Sequence, residues 1–246
     1  MVLTVLSIIG IIAGSMSGAL AAGKERMDLF GVVMVGFVTA LGGGTIRDVF
    51  LDIHPLVWVG EPLYCVLVVV ASVITVWVAR TLQYFWALFL WLDALGLVAF
   101  SILGAQAALH HNLGIIVAGA SAIITGSVGG IMRDLLCDRI PLVFREELYG
   151  SVSLFVGMSY VGLLSAGLSS GLAVTISLLS GFALRVAAIQ WKITLPVFDY
   201  QEESYYDRRK ALRTMMKDIR WRWNRRNEAE AKAKAKKRRQ KPKPQL

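Results

Sequence analysis

Six ionisable side chains stand inside long apolar stretches of this chain: Arg47, Asp48, Asp93, Arg133, Asp134 and Arg185. A charge at the centre of a hydrocarbon layer costs at least about 2.5–3.5 kcal/mol, so such residues tend to face a partner or an aqueous path. Guanidinium and carboxylate groups together can hold the two ends of a small zwitterion, shape the field around a passing cation, or tie helices to one another. None of these roles needs a covalent step. No complete nucleotide-binding loop, Gly-x-x-x-x-Gly-Lys followed by Ser or Thr, occurs, which argues against an ATP-driven pump. The three histidines lack metal-ligand spacing, and the two cysteines, Cys65 and Cys137, cannot frame a disulfide scaffold. No metal or other cofactor is therefore expected.

The Arg-Asp pairs come in duplicate, each behind a glycine cluster. At an offset of 86 residues, ten of the 23 positions from Thr39 to Glu61 are identical, without a gap, to those from Thr125 to Glu147. Gly43-Gly44-Thr45-Ile46-Arg47-Asp48 falls on Gly129-Gly130-Ile131-Met132-Arg133-Asp134, and Gly10, Ser15 and Gly18 fall on Gly96, Ser101 and Gly104. Self-similarity of this kind marks a duplicated structural unit. Gly42, Gly43 and Gly44, like Gly126, Gly129 and Gly130, lie inside apolar runs, where glycine costs about 1 kcal/mol relative to alanine and invites a kink. A backbone broken at membrane depth must line protein or a water-filled cavity, so these segments are expected to interrupt their helices along a path. The alternative is that the glycines merely let helices pack closely. Neighbours on a helix point about 100° apart, so each Arg-Asp pair is expected to seek partners elsewhere. Asp93 falls on Ser7 and Arg185 has no counterpart; their depths predict that they pair, the rival being that Arg185 reaches to the inner headgroups.

The elements that would position these groups are transmembrane helices. Hydrophobic residues make up 56% of the 246 and charged ones only 17%, where soluble domains carry about 25% charge. Apolar runs of membrane-spanning length lie near Val2–Ala22, Leu29–Val49, Leu63–Ala79, Phe85–Leu109, Leu113–Leu136, Leu148–Leu168 and Leu172–Trp191. The first has no Lys or Arg before it, so a retained helix is expected rather than a cleaved signal. The fold predicted is an all-α membrane protein of seven spans: a three-helix copy over 1–83, a second over 84–169, a seventh helix over 170–199 and a basic tail over 200–246. Three crossings per copy force the second to enter from the opposite face, giving inverted repeats. Lys24, Arg26, Arg80, Arg139 and Arg145 all fall in the first, third and fifth loops, which places the N-terminus outside and the C-terminus inside.

The tail supplies the basic character of the whole chain: 17 of the 26 Lys and Arg, but only 6 of the 17 acidic residues, follow from Tyr200 onward. Leu212, Met215, Met216, Ile219 and Trp223 recur at helical spacing among basic residues, which suits an anionic inner leaflet. Disorder is expected from about residue 240. No aromatic platform or groove-reading fold accompanies the charge, so nucleic acid is not an expected partner.

On the doubled motif Gly42-Gly43-Gly44-Thr45-Ile46-Arg47-Asp48 and Gly129-Gly130-Ile131-Met132-Arg133-Asp134, the chain resembles the prokaryotic branch of the trimeric intracellular cation (TRIC) channels over roughly residues 1–195. That resemblance implies a homotrimer in a prokaryotic inner membrane, each protomer holding its own pore for K⁺ and, to a lesser extent, Na⁺. It implies a pore between the halves, lined by the second and fifth spans, with Arg133 along it. Animal members carry a Lys-Glu-Val stretch near this point and use it with an inositol lipid; Arg133-Asp134-Leu135 departs from it. The same sequence family has been linked to glycine uptake.

The expected function is therefore a passive cation conductor without catalytic chemistry. Its path would run along Gly42, Gly43, Gly44, Arg47, Asp48, Gly126, Gly129, Gly130, Arg133 and Asp134, supported by Asp93 and Arg185. In that scheme the glycine breaks bare carbonyls, the aspartates favour cations, and the arginines shape or gate the path. The alternative is a secondary transporter for glycine or a similar zwitterion.

Overall fold

The computed structural model describes residues 1–79, 85–145, 148–193 and 215–217. Among these the chain is helical, in the order α1 (Val2–Lys24), α2 (Leu29–Phe50), α3 (Val57–Gly60), α4 (Leu63–Ala79), α5 (Phe85–His110), α6 (Gly114–Leu136), α7 (Leu142–Arg145), α8 (Tyr149–Ser165) and α9 (Ser170–Trp191). All belong to a unit running from Met1 to Leu195. Residues 215–217, in a separate unit from Pro196 to Leu246, are helical. The rest of the tail's amphipathic stretch, its Ala/Lys/Arg-rich run, and Arg80 lie outside the described residues.

Helix ends follow local chemistry. Asp28 caps α2 by accepting from the Gly31 amide at 2.7 Å, and Pro55, Pro62 and Pro141 fall between helices, where a missing N–H costs no ladder bond. Five helices, α1, α2, α5, α6 and α9, are long and apolar enough to cross a membrane. The other two expected spans, α4 and α8, form helices of 17 residues, about 26 Å at 1.5 Å per residue against a hydrocarbon layer of about 30 Å. Helix α8 ends at Ser165, short of the expected Leu168, where Gly167 turns the chain at φ 85°.

Equivalent helices of the two copies run antiparallel where they meet. Gly10 of α1 faces Ala99 and Phe100 of α5, while Gly14 faces Phe100 and Gly96. A Cβ on Gly43 of α2 would overlap the Thr125 carbonyl oxygen of α6, and one on Gly129 would overlap the Thr39 carbonyl oxygen. Thr39 and Thr125 stand 86 residues apart, as do Gly43 and Gly129, so the contact is reciprocal, the mark of a local two-fold relation. The relation extends to the turns: Asp52 and Asp138 share the left-handed conformation, φ 53° and 52°.

The expected interruption of the glycine-rich helices is not found. Helices α2 and α6 run unbroken through Gly42, Gly43, Gly44, Gly126, Gly129 and Gly130, and Gly43 and Gly129 serve the backbone approach between the two helices. The carbonyls of these turns remain in the helical ladder. Gly18, Gly23 and Lys24 carry the opening spacing of a phosphate-binding loop, but they too lie within a continuous helix, α1, and form no loop.

Candidate ion path between the two copies

Each Arg-Asp pair bonds within itself, contrary to the expectation from helical angles, while Arg133 also finds the expected partners elsewhere, Asp93 and Ser17. Arg47 Nε and Nη2 donate to Asp48 Oδ1 at 2.9 and 2.6 Å, and Arg133 Nε donates to Asp134 Oδ1 at 2.8 Å. The long arginine side chain bends back over the last turn of its helix, spanning an angle that two short side chains could not. The second carboxylate oxygen has the same use in both copies. Asp48 Oδ2 accepts the Val57 amide at 3.0 Å, and Asp134 Oδ2 accepts the Leu142 amide at 2.9 Å. Each aspartate thus ties the returning loop, at α3 or α7, to the helix it follows, and each of its carboxylate oxygens accepts at least one hydrogen bond.

Beyond that shared tie the two arginines differ. Arg133 is wholly buried. Its Nη1 donates to Ser17 Oγ of α1 at 2.9 Å and makes an ion pair with Asp93 Oδ1 of α5, while its guanidinium carbon stands 4.7 Å from the centre of the Phe89 ring. Tyr149, at the start of α8, donates its hydroxyl to the same Asp93 oxygen at 3.2 Å. Gly130 makes room for that hydroxyl: a Cβ there would come within 2.8 Å of it. Four helices therefore converge on one guanidinium, which a buried cation requires to offset its lost hydration. Among the described residues, Asp93 Oδ2 and Arg133 Nη2 have no hydrogen-bond partner. Asp93 also lines a small pocket with Ser17, Thr39, Gly126 and Tyr149.

This overturns the expected Asp93–Arg185 pair. Asp93 is held by Arg133, and Arg185 lies instead over the face of Tyr149, its guanidinium carbon 4.7 Å from the ring centre. Arg185 is fully buried, so it does not reach to headgroups. The cause is helix packing: α6 brings its arginine to the carboxylate, while α9 sets Arg185 against the Tyr149 ring.

Arg47, by contrast, borders a cavity of about 310 Å³, walled by Ser7, Gly44, Asp48, Trp58, Tyr64, Gln106, His110 and His111 among others. Phe100 of α5 lines both this cavity and the small pocket at Asp93. It seats over Gly10 and Gly14, either of which would place a Cβ 3.2 Å from the ring. Gly42 packs beside Met132 rather than on the cavity, and Gly126 accommodates the bonded hydroxyls of Ser101 and Ser153, 2.6 Å apart. Of the sequence-singled residues, the structure thus gathers Arg133, Asp134, Asp93 and Gly130 at one end and Arg47, Asp48 and Gly44 at the other, with Gly43 and Gly129 at the crossing between. Phe100, Tyr149, Phe89 and Ser17 were not singled out by sequence. A signal existed: at the 86-residue offset they fall on Gly14, Leu63, Leu3 and Leu103, so the copies diverge where these residues stand.

Both cysteines are free thiols, Cys137 buried with its thiol pushed up by burial, in keeping with an unreactive role.

A family model described as Glycine transporter matches this chain twice, over residues 4–80 and 90–165. The UPF0126 inner membrane protein YadS of Escherichia coli is 38% identical over 204 residues, covering 80% of this chain and 96% of that one. The UPF0126 membrane protein YvgT of Bacillus subtilis is 37% identical over 191 residues, covering 76% and 93%. Among solved structures, a TRIC trimeric intracellular cation channel orthologue from Rhodobacter sphaeroides superposes with a TM-score of 0.74 at 36% identity, covering 77% of this chain and 97% of that one. A second structure, solved to explain conductance through TRIC cation channels, gives 0.73 at 31% identity, covering 80% and 98%. With kinship over most of its helical body and five helices fit to span a bilayer, the chain is an integral membrane protein of the inner-membrane kind and belongs to the prokaryotic TRIC family, whose bacterial relatives carry the UPF0126 name.

Proposed function

We propose that the chain is a passive channel for monovalent cations, K⁺ ahead of Na⁺, acting as a homotrimer with one path in each protomer. Seven helices cross the membrane, α4 and α8 as the two short ones, with the N-terminus outside and the basic tail inside on anionic lipid. The path runs between two inverted copies, 1–83 and 84–169, with α9 added over 170–199 and the tail over 200–246. One observation carries this reading: a cavity of about 310 Å³ beside Arg47 and a small pocket at Asp93 share Phe100 in their walls, and the Asp93 of the second is held by the buried Arg133. The arrangement is a closed path. Arg133 is its plug, neutralised by Asp93 and Asp134 and lodged under Tyr149, and Phe100 is an apolar barrier behind it. Withdrawing the guanidinium from Asp93 exposes a carboxylate that favours cations, so the same residue latches the closed state and selects charge in the open one. Kinship with TRIC cation channels supports the choice of ion.

A carrier for glycine or a similar zwitterion is the second reading, favoured by the name of the matching family model. Symmetric alternating access asks each copy to adopt the other's conformation. Here the closure of the second copy has no carboxylate to match it in the first, where Ser7 stands opposite Asp93. Purified protein in a planar bilayer separates the two: unitary K⁺ currents that grow with ion concentration support the channel, while saturable, ion-coupled glycine uptake without unitary events supports the carrier.

A further inference from the structure

The helix added after the two copies touches the plug through one tyrosine. Arg185 of α9 is wholly buried and lies over the Tyr149 ring, and the hydroxyl of that ring donates to the Asp93 oxygen that holds Arg133. Two cations thus address one tyrosine–carboxylate unit, Arg133 at the carboxylate and Arg185 at the aromatic face. Both neighbours of Tyr149 are constrained. Leu148, the residue before it, sits at φ 46°, a left-handed conformation costly for leucine that persists only where the surroundings impose it. On the other side, Gly181, one turn before Arg185, lets α9 close on α8 and α5. A Cβ there would overlap the Val156 side chain and stand 3.1 Å from Val98. Arg185 thus lies over the ring on a helix packed closely against α8 and α5 one turn away.

We propose that Arg185 is a positioning residue for the gate: by lying over Tyr149 it keeps the phenol hydroxyl on Asp93, and so holds Arg133 in the closed path. A guanidinium over a desolvated ring is attracted by the ring's negative face, and it orients the ring without competing for the hydroxyl. Helix α9 then sets how readily the path opens, although it lines neither cavity. This proposal rests on the reading of Arg133 as the plug.

The test uses the full chain in planar bilayers, with Arg185→Gln, Arg185→Lys and Tyr149→Phe each made in the native and the Arg133→Gln background. In the native background Arg185→Gln and Tyr149→Phe should each raise open probability about tenfold, with Arg185→Lys, which keeps the cation, nearer to the native value. In the Arg133→Gln background neither should add more, because the latch they serve is gone. Should Arg185→Gln fail to yield protein, the Tyr149→Phe and Arg185→Lys series decides by the same comparison. Equal shifts in both backgrounds, or a lowered melting temperature with unchanged gating, overturn the proposal and leave Arg185 a packing residue. If Arg133→Gln alone leaves gating unchanged, the plug reading fails and the role of Arg185 falls with it.

Discussion

The Arg47 end and the Arg133 end of the molecule begin from the same local plan. Each arginine folds onto the aspartate beside it, and each aspartate holds the amide of a short helix returning after the turn. Around Arg133 that plan is completed by Asp93, Tyr149, Phe89 and Ser17; around Arg47 the same positions hold Ser7, Leu63, Leu3 and Leu103, and a cavity stands open. A third difference lies in the loops. Arg139 reaches Glu25 by an ion pair at the Arg133 end, whereas their counterparts, Ile53 and His111, line the cavity wall. On the proposed reading, the duplicated frame provides two mouths, and the positions at which the copies differ decide which is shut.

The comparison can be broken or sharpened by substitution. The largest effect is expected at the feature the ends share: Gly43→Val and Gly129→Val each drive a side chain into the carbonyl of the facing helix, where overpacking costs about 1–3 kcal/mol or more. Both should abolish a monodisperse folded species in size-exclusion chromatography, and equally so; a mild effect at one alone would deny the two-fold relation. Next comes the contrast between arginines. Arg133→Gln should raise open probability at least about tenfold, because a buried pair is broken, whereas Arg47→Gln should change it by less than about twofold; single-channel recording that finds equal effects removes the distinction. Ser7→Asp, which writes the closing carboxylate into the open end, should lower current several-fold, on the order of one charge-assisted hydrogen bond to Arg47. A modest effect belongs to Glu25→Gln or Arg139→Gln. This partly exposed tie is worth about 0.2–1 kcal/mol, so open probability should rise by no more than about fivefold, and less at high salt.

Most of the helical frame was legible because apolar runs end at polar or prolyl residues: α4 matches its expected bounds, and α1, α2, α5 and α6 come within two residues. The glycine clusters misled because one composition serves two purposes. A kink and a close crossing both favour glycine, and only the facing Thr39 and Thr125 carbonyls distinguish them. The self-paired Arg-Asp motifs misled because helical angles describe Cβ directions, not the reach of a guanidinium. Asp93 was correctly marked as belonging to one copy, but its partner depends on which of two buried arginines arrives first, and that is decided by helix packing that no spacing along the chain encodes. Tyr149 carries no formal charge and so escaped a search for charges.

The crossing of α2 and α6 has one more property. Gly43 and Gly129 put bare backbone against bare backbone, with no side chains interleaved between the two helices at those points. Such a joint resists being pulled apart or slid lengthwise, yet it offers little friction to a change of tilt, as a scissor rivet does. On the proposed reading the rivet sits between the two mouths, so blades that part at one handle would swing at the other.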